Sequence, residues 1–396
     1  MDPAWDDRVA RELRAMLPPS LVRFFDVAFI RAHFYYAEFV YRLALRVVRE
    51  TGLEAALQEP GTAAEIVARA GLDAGRAPVV VDVLLRLLAE RGAIEEVAGR
   101  PPGRYRARGA LPQLDPQPIR DQEVSADPAW RPSYALLEMV AQEYPAFLRG
   151  ALSGEDVLFS PRRLRLWVDY FSNGNRLYAI NNQVGAVAVA EWLPRDGGTV
   201  LELGGGLGSG ALAVMQELES RGRLGALGEY RFTELVPAFL RRGQQALEAR
   251  PRTPFPVGFG PLDMNRPFAE QGVARGSVAV VYAVNTLHVA YDLAFTLGEA
   301  LRALEPGGRL VVSECLRPFP RQPIHAEFVF SLAETFRSPR LHPVYRPNGG
   351  FLTAEQWRDA FAAAGFADVR FLPDAIEVRK KAADFFVGAV GATRPQ

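Results

Sequence analysis

The stretch VLELGGGLGSG, from Val200 to Gly210, sets the apolar residues Val200, Leu201 and Leu203 directly before a run of glycines. Such apolar residues fit the interior of a buried strand, and a glycine run reaches positive φ and lets the backbone approach a ligand without side-chain interference. Within it, Glu202, Gly204, Gly206 and Gly208 form the pattern E-x-G-x-G-x-G at a strand-to-helix turn. Alone, that pattern suits dinucleotide sites, nucleotide sites and purely structural corners. Its meaning rests on the segments C-terminal to it.

From Thr199 onward, short apolar runs alternate with amphipathic helical segments. TVLEL precedes a helix through Met215, YRFTEL a helix through Leu247, and FPVGFG leads to SVAVVYAVN and a helix through Leu304; RLVVSE, a helix near Thr353 to Ala364, VRFLPD and DFFVGAV complete the series. This order predicts an α/β fold with a Rossmann-like, doubly wound, mostly parallel seven-stranded sheet and ligands at the carboxyl ends of its strands. YRFTEL puts Glu234 near its end, where a carboxylate accepts from ribose hydroxyls. GPLDMN places Asp263 where a carboxylate accepts from an adenine amino group. Leu235 and Met264, next to these acids, join them as expected cofactor contacts. Glu202 favours one ligand among the nucleotide types: an acid here repels a pyrophosphate but suits the positively charged amino-acid end of S-adenosylmethionine.

The 396-residue chain is 49% apolar and long enough for more than one domain. Its 46 basic and 46 acidic residues balance, which argues against a general nucleic-acid or membrane-surface binder. Cys315 is the sole cysteine, so no internal disulfide and no cysteine-based zinc site is expected, and the absence of metal-ligand clusters argues against a metal-dependent, catechol-type enzyme. MDPAWDDRVARELRAM carries acids where a signal peptide needs basic residues, and no segment reaches membrane-spanning length. The expectation is a soluble, cytoplasmic protein.

Residues 6–48 have helical periodicity and many aromatics, which predicts packing in a helical layer or against a second subunit. The next stretch reads as a short helix, a turn at Gly71 to Gly75, a helix through Leu88 and a hairpin around Gly99 to Gly103, the order of a winged helix. Its second helix, VVVDVLLRLLAERG, is apolar over much of its surface and favours packing or dimerisation over DNA reading. Gln113 to Asp127 reads as a linker, and residues 130–194 return to helical periodicity. The expected domains are a winged-helix-like dimerisation domain over 1–112, a helical linker and substrate lid over 113–195, and a cofactor domain over 196–396.

VLELGGGLGSG, YRFTELVPAFL, LDMNRPFAEQG and VVYAVNTLHVAYDLAFTLGEALRALEPGGRLVVSE, in this order, resemble the successive motifs of class I S-adenosylmethionine-dependent methyltransferases. Within that superfamily they are most similar to the C-methyltransferase domains of polyketide synthases, over roughly Thr199 to Val390. The N-terminal part more weakly resembles the dimerisation and winged-helix domain of small-molecule O-methyltransferases. Glu234 stands where Asp is usual and Val236 where Ser is common, which loosens the assignment to one subfamily.

His288, in NTLHVAYD, is expected just past the fourth strand, and Glu314 ends the next strand, close enough in a parallel sheet to orient an imidazole. The resemblance implies that His288 removes a proton from a carbon between two carbonyls, with Glu314 as its partner. Tyr178, before the cofactor domain, is a further candidate for the reacting centre; Tyr170 and His325 are candidates for substrate binding, and Asn285 for the cofactor or a substrate carbonyl. His33 suits a packed or interface position, and His342 shares with His325 the proline-bordered insert Arg317 to Gly350. Arg162, Arg163 and Arg165 offer a surface for an acidic carrier protein bearing the substrate, although a solvated helix face has the same pattern. The reading is a methyltransferase of secondary metabolism acting on a β-keto, polyketide-type carbon, free or carrier-bound, as a homodimer without nucleic-acid or membrane partners. The same histidine can instead deprotonate a hydroxyl, giving an O-methyltransferase, and a third reading is a non-methylating cyclase or regulator.

Overall fold

A computed structural model describes residues 7–98, 103–194, 197–250 and 253–396. The chain divides into two compact units, each drawn from three stretches: 1–7, 27–170 and 319–337 in the first, and 8–26, 171–318 and 338–396 in the second. The sequence reading drew three consecutive segments instead. The interleaving arises because part of the insert after the fifth sheet strand returns to the N-terminal helices. Tyr144 of the helix Arg131–Leu148 donates to the Phe328 carbonyl at 2.6 Å, with the two rings 4.9 Å apart.

In the first unit, β1 (Gly61–Thr62), the helices Ala63–Arg69 and Ala77–Glu90, β2 (Ile94–Val97) and β3 (Arg104–Ala107) make a winged-helix arrangement with sheet order β1-β3-β2. Thr62 starts its helix with a reciprocal capping box to Glu65, which satisfies two orphan amides. The second helix buries Val80, Val81, Leu84, Leu85 and Leu88, so the face expected to be apolar is spent on packing. The tip of the expected hairpin, residues 99–102, lies outside the described residues. Two readings change here. The stretch from Gln113 to Asp127, read as a linker, contains the helix Gln117–Ala126, because Pro118 suits a first helical turn and Ile119 and Glu123 share one buried face. The helix expected over 6–48 is broken into Asp7–Met16 and Pro19–Val22, which fall in the stretch 8–26 of the second unit but for Asp7, and Val27–Glu50 of the first; consecutive prolines at 18 and 19 deny the backbone two amide donors.

The second unit holds β4 (Gly198–Leu203), β5 (Leu227–Thr233), β6 (Val257–Gly260), β7 (Val278–Val284), β8 (Leu304–Cys315), β9 (Ala367–Leu372) and β10 (Val387–Thr393). They form one seven-stranded sheet in the order β6-β5-β4-β7-β8-β10-β9, with β10 antiparallel to both its neighbours and the other pairs parallel. All seven residues of β7 are buried, as a central strand covered on both faces requires. The helix Arg176–Trp192 packs against β7, β8 and β10, close enough that a Cβ on Gly185 would stand 2.6 Å from the Tyr282 hydroxyl oxygen. Strand order reverses between β4 and β7, and at such a switch point the loops leaving the carboxyl ends diverge and open a crevice.

Candidate active site

The turn after β4 lies on one wall of that crevice. Gly204, Gly206 and Gly208 take φ values of 62°, 58° and 84°, the left-handed region that disfavours any side chain. A Cβ on Gly204 would stand 2.5 Å from Thr286 Cγ2, whereas one on Gly206 would meet nothing within 4 Å. The loop therefore packs on one side and leaves a side-chain-free hollow on the other. Glu234, just past β5, accepts from the Gly206 amide at 2.9 Å and the Val236 amide at 2.7 Å. Burial raises its pKa, against these two bonds. Glu202 is 1% exposed and accepts from the Tyr230 hydroxyl at 3.0 Å; burial pushes its carboxyl up to about 8, the Tyr230 bond opposing and the Glu234 charge adding.

The segment before β4 seats on the same turn. Asn173 donates to the Ser209 carbonyl at 2.8 Å, Ser209 Oγ donates to the Phe171 carbonyl at 2.6 Å, and the buried Asn182 donates to Asn173 at 2.8 Å. The other amide atom of Asn182, Oδ1, is buried without a donor among the described residues. The Tyr178 hydroxyl has its pKa raised first by burial and then by Glu202, Cys315, Glu234 and Glu314, which places it among the acids of the strand ends and keeps it protonated. Two buried carboxyls, an unpaired amide oxygen and a hollow at Gly206 form an acceptor-rich cradle. S-adenosylmethionine fits that chemistry, since its ammonium and ribose hydroxyls are donors. Asp263 is half-buried; its Oδ1 accepts from the Asn265 amide at 2.9 Å, and its own amide donates to Gln271 at 2.7 Å. Met264 is half-buried beside it and Leu235 is 54% exposed, both on loops after the next two strands.

On the other side of the switch point, His288 occupies the short 3-10 turn Leu287–Val289 after β7, and Glu314 is the penultimate residue of β8. His288 Nδ1 and Glu314 Oε2 are 2.8 Å apart, with the two side chains 6% and 0% exposed. Glu314 Oε1 also accepts from the amides of Thr286 at 3.1 Å and His288 at 3.3 Å. With the carboxylate committed to these donors, the imidazole carries its proton on Nδ1 and Nε2 is its basic nitrogen. The Phe351 ring lies 4.3 Å from the imidazole, centroid to centroid. Asn285 is a non-glycine residue at φ 47°, held there because its Oδ1 accepts from Asn181 at 3.2 Å and from the Cys315 amide at 3.0 Å.

The second unit thus contains Glu202, the glycine turn, Glu234, Tyr178, Asn285, His288 and Glu314. Tyr170 and His325 belong to the first unit. There Tyr170 contacts Trp167 and Phe330, and His325 Nδ1 lies 3.3 Å from His33 Nε2. His342 stacks on Tyr345 at 3.8 Å. Arg162 is exposed and Arg165 is 94% exposed, but Arg163 is tied to Glu143 and to the Val157 carbonyl. Sequence reasoning missed Asn181, Asn182, Phe351 and Arg346. The first two carry a signal, adjacent asparagines before the apolar run Val184 to Ala190 of the same helix; the others lie in a loop of no regular period. Among the described residues no three His, Cys, Asp or Glu side chains converge as a metal site, and no helix is long and apolar enough to cross a membrane.

No family model matches the chain. The curated proteins it resembles are polyketide synthases, among them the non-reducing polyketide synthase dpmpA of Macrophomina phaseolina, 26% identical over 300 residues. That match covers 73% of this chain and 13% of the synthase, so the chain spans a small part of the length of such relatives. Among solved structures, the CurJ carbon methyltransferase superposes with a TM-score of 0.75 at 20% identity, covering 98% of this chain and 99% of that one. The CMeT domain of the citrinin polyketide synthase does so at 0.69 and 16%, covering 96% and 98%. Together with the strand order, these likenesses show that the chain shares its fold with the solved carbon methyltransferases.

Proposed function

We propose that this chain is an S-adenosylmethionine-dependent methyltransferase that methylates an activated carbon of a β-keto, polyketide-type substrate in secondary metabolism. The observation that carries this reading is the buried His288–Glu314 pair, 2.8 Å apart at the ends of two neighbouring strands beside the glycine turn. S-adenosylmethionine supplies the electrophilic methyl group. Glu202 and Asn182 take its ammonium, Glu234 its ribose and Asp263 its adenine, with Leu235, Met264 and the glycine turn around them. His288 Nε2 removes the α-proton, Glu314 holds Nδ1–H and stabilises the imidazolium, and the neutral Tyr178 hydroxyl donates to the developing enolate oxygen. The chain's part in the transfer is to hold the enolate carbon in line with that methyl group, whose bond to sulfur would break as the carbon–carbon bond forms, leaving S-adenosylhomocysteine and a proton on His288 Nε2.

Asn285 takes a substrate carbonyl. The acyl group arrives on an acidic carrier met by Arg162 and Arg165, and two copies associate through the winged-helix region; light scattering and carrier titration test those two points. The central test is incubation with methyl-deuterated S-adenosylmethionine and β-ketoacyl thioesters, with label position read by NMR. Label on the α-carbon, lost in His288→Ala, is the expected result. Label on oxygen moves the protein to O-methylation, and no transfer to any acceptor refutes the methyltransferase reading.

A further inference from the structure

Arg346 is 1% exposed, yet among the described residues its guanidinium has no carboxylate within ion-pair distance. It donates instead to two backbone carbonyls of a single turn: Nη1 to Ala290 at 2.6 Å and Nη2 to His288 at 2.6 Å. Its Nε is buried without a partner among the described residues. The residue is itself anchored, because its amide and carbonyl pair with those of His342 at 3.0 and 2.9 Å. Burial lowers the guanidinium to about 10, the nearby Asp292 and Glu314 charges opposing, so it stays cationic at neutral pH. A buried cation spent on two carbonyls is unusual, since carboxylates satisfy it better.

One of those carbonyls lies inside the turn Leu287–Val289 and the other directly follows it. The 3-10 segment Leu287–Val289 satisfies the Leu287 carbonyl through the Ala290 amide but is too short to do the same for that of His288, the residue whose ring must meet both Glu314 and a substrate carbon. Glu314 holds the amino side of the turn through the Thr286 and His288 amides. Arg346 holds the carbonyl side. The planar fork of a guanidinium spans two carbonyls two residues apart, which a single ammonium cannot do with fixed geometry.

We propose that Arg346 is a positioning residue for His288: by clamping the carbonyls of His288 and Ala290 it sets where Nε2 stands relative to the carbon it deprotonates. This rests on the assignment of His288 as base. The test compares Arg346→Lys and Arg346→Gln with the intact chain in three assays: cofactor affinity by calorimetry, kcat for methylation, and wash-in of deuterium at the α-carbon of a β-ketoacyl thioester in D2O. The expected result is that kcat and deuterium wash-in both fall by about 100-fold in the Gln variant, less in the Lys variant, while cofactor Kd stays within about twofold. Unchanged wash-in would overturn the proposal. So would loss of cofactor binding together with activity in both variants, since that would make Arg346 a packing residue of the unit. His288→Ala in the same assays separates the two levels: if it retains wash-in, the base assignment itself fails.

Discussion

Burial raises the Glu202 carboxyl from 4.5 to about 8, the Tyr230 hydroxyl opposing and Glu234 adding, so the folded chain without cofactor keeps this acid protonated at neutral pH. The unfolded chain releases that proton near its ordinary pKa, so the associated stability is complete below about 4.5 and is lost as pH rises to about 8. We expect the thermal midpoint of the cofactor-free protein to carry a downward contribution across that window, and Glu202→Gln to remove it. A bound ammonium reverses the preference by favouring the charged acid. Cofactor Kd should therefore fall as pH rises toward about 8, with proton release seen by calorimetry in buffers of different ionisation enthalpy. A Kd flat with pH, or a slope that persists in Glu202→Gln, contradicts this. At the same scale, His288 and Glu314 were legible from the sequence because both follow short strand-like runs, whereas Arg346 and Phe351 sit in a loop with no period to count.

The strand-turn-helix element around the glycines makes a sharper contrast than its motif suggests. Gly204 and Gly206 both need positive φ, but only Gly204 has a wall behind it, with Thr286 Cγ2 at 2.5 Å from an added Cβ. Gly206→Ala should cost about 1–2 kcal/mol for its backbone alone and weaken cofactor binding. Gly204→Ala adds a steric clash of about 1–3 kcal/mol and presses on the Thr286–His288 turn. Urea unfolding and the methylation rate check the pair: Gly204→Ala should lose more stability and more kcat than Gly206→Ala, and equal losses would show that the wall yields. Periodicity identified the strands of the sheet because short strand-like runs, wholly apolar in β7 and interrupted by charges in β5 and β9, alternate with amphipathic helical stretches. It passed over the helix Gln117–Ala126, in which only Ile119 and Glu123 are buried and no apolar stripe forms.

At the scale of the molecule, the first unit carries an acid-sensitive pair. Burial first, and Arg91 second, lower His33 to about 3, while burial and then His33 lower His325. Both histidines are therefore neutral in the fold and bind protons more readily when unfolded. Stability from this pair is present above about 6.5 and is lost as pH falls toward about 3, by several kcal/mol at the low end. Acid unfolding followed by the fluorescence of Trp130, which contacts Phe29 and Tyr36 nearby, should begin below about pH 6, and His33→Phe with His325→Leu should delay it. An unchanged acid midpoint would contradict the burial of a neutral pair. The sequence by itself determined the succession of strands and crossover helices, the glycine turn with its acids, and the placement of His288 and Glu314 at the carboxyl ends of two strands. Those are local patterns, and a parallel sheet with right-handed crossovers has few ways to arrange them. Only the tertiary structure decided that His33 meets His325 across 292 residues, that residues 319–337 belong with the N-terminal helices, and that Arg346 grips the turn of His288. Such pairings are chosen by loop closure and burial, and neither leaves a period in the chain.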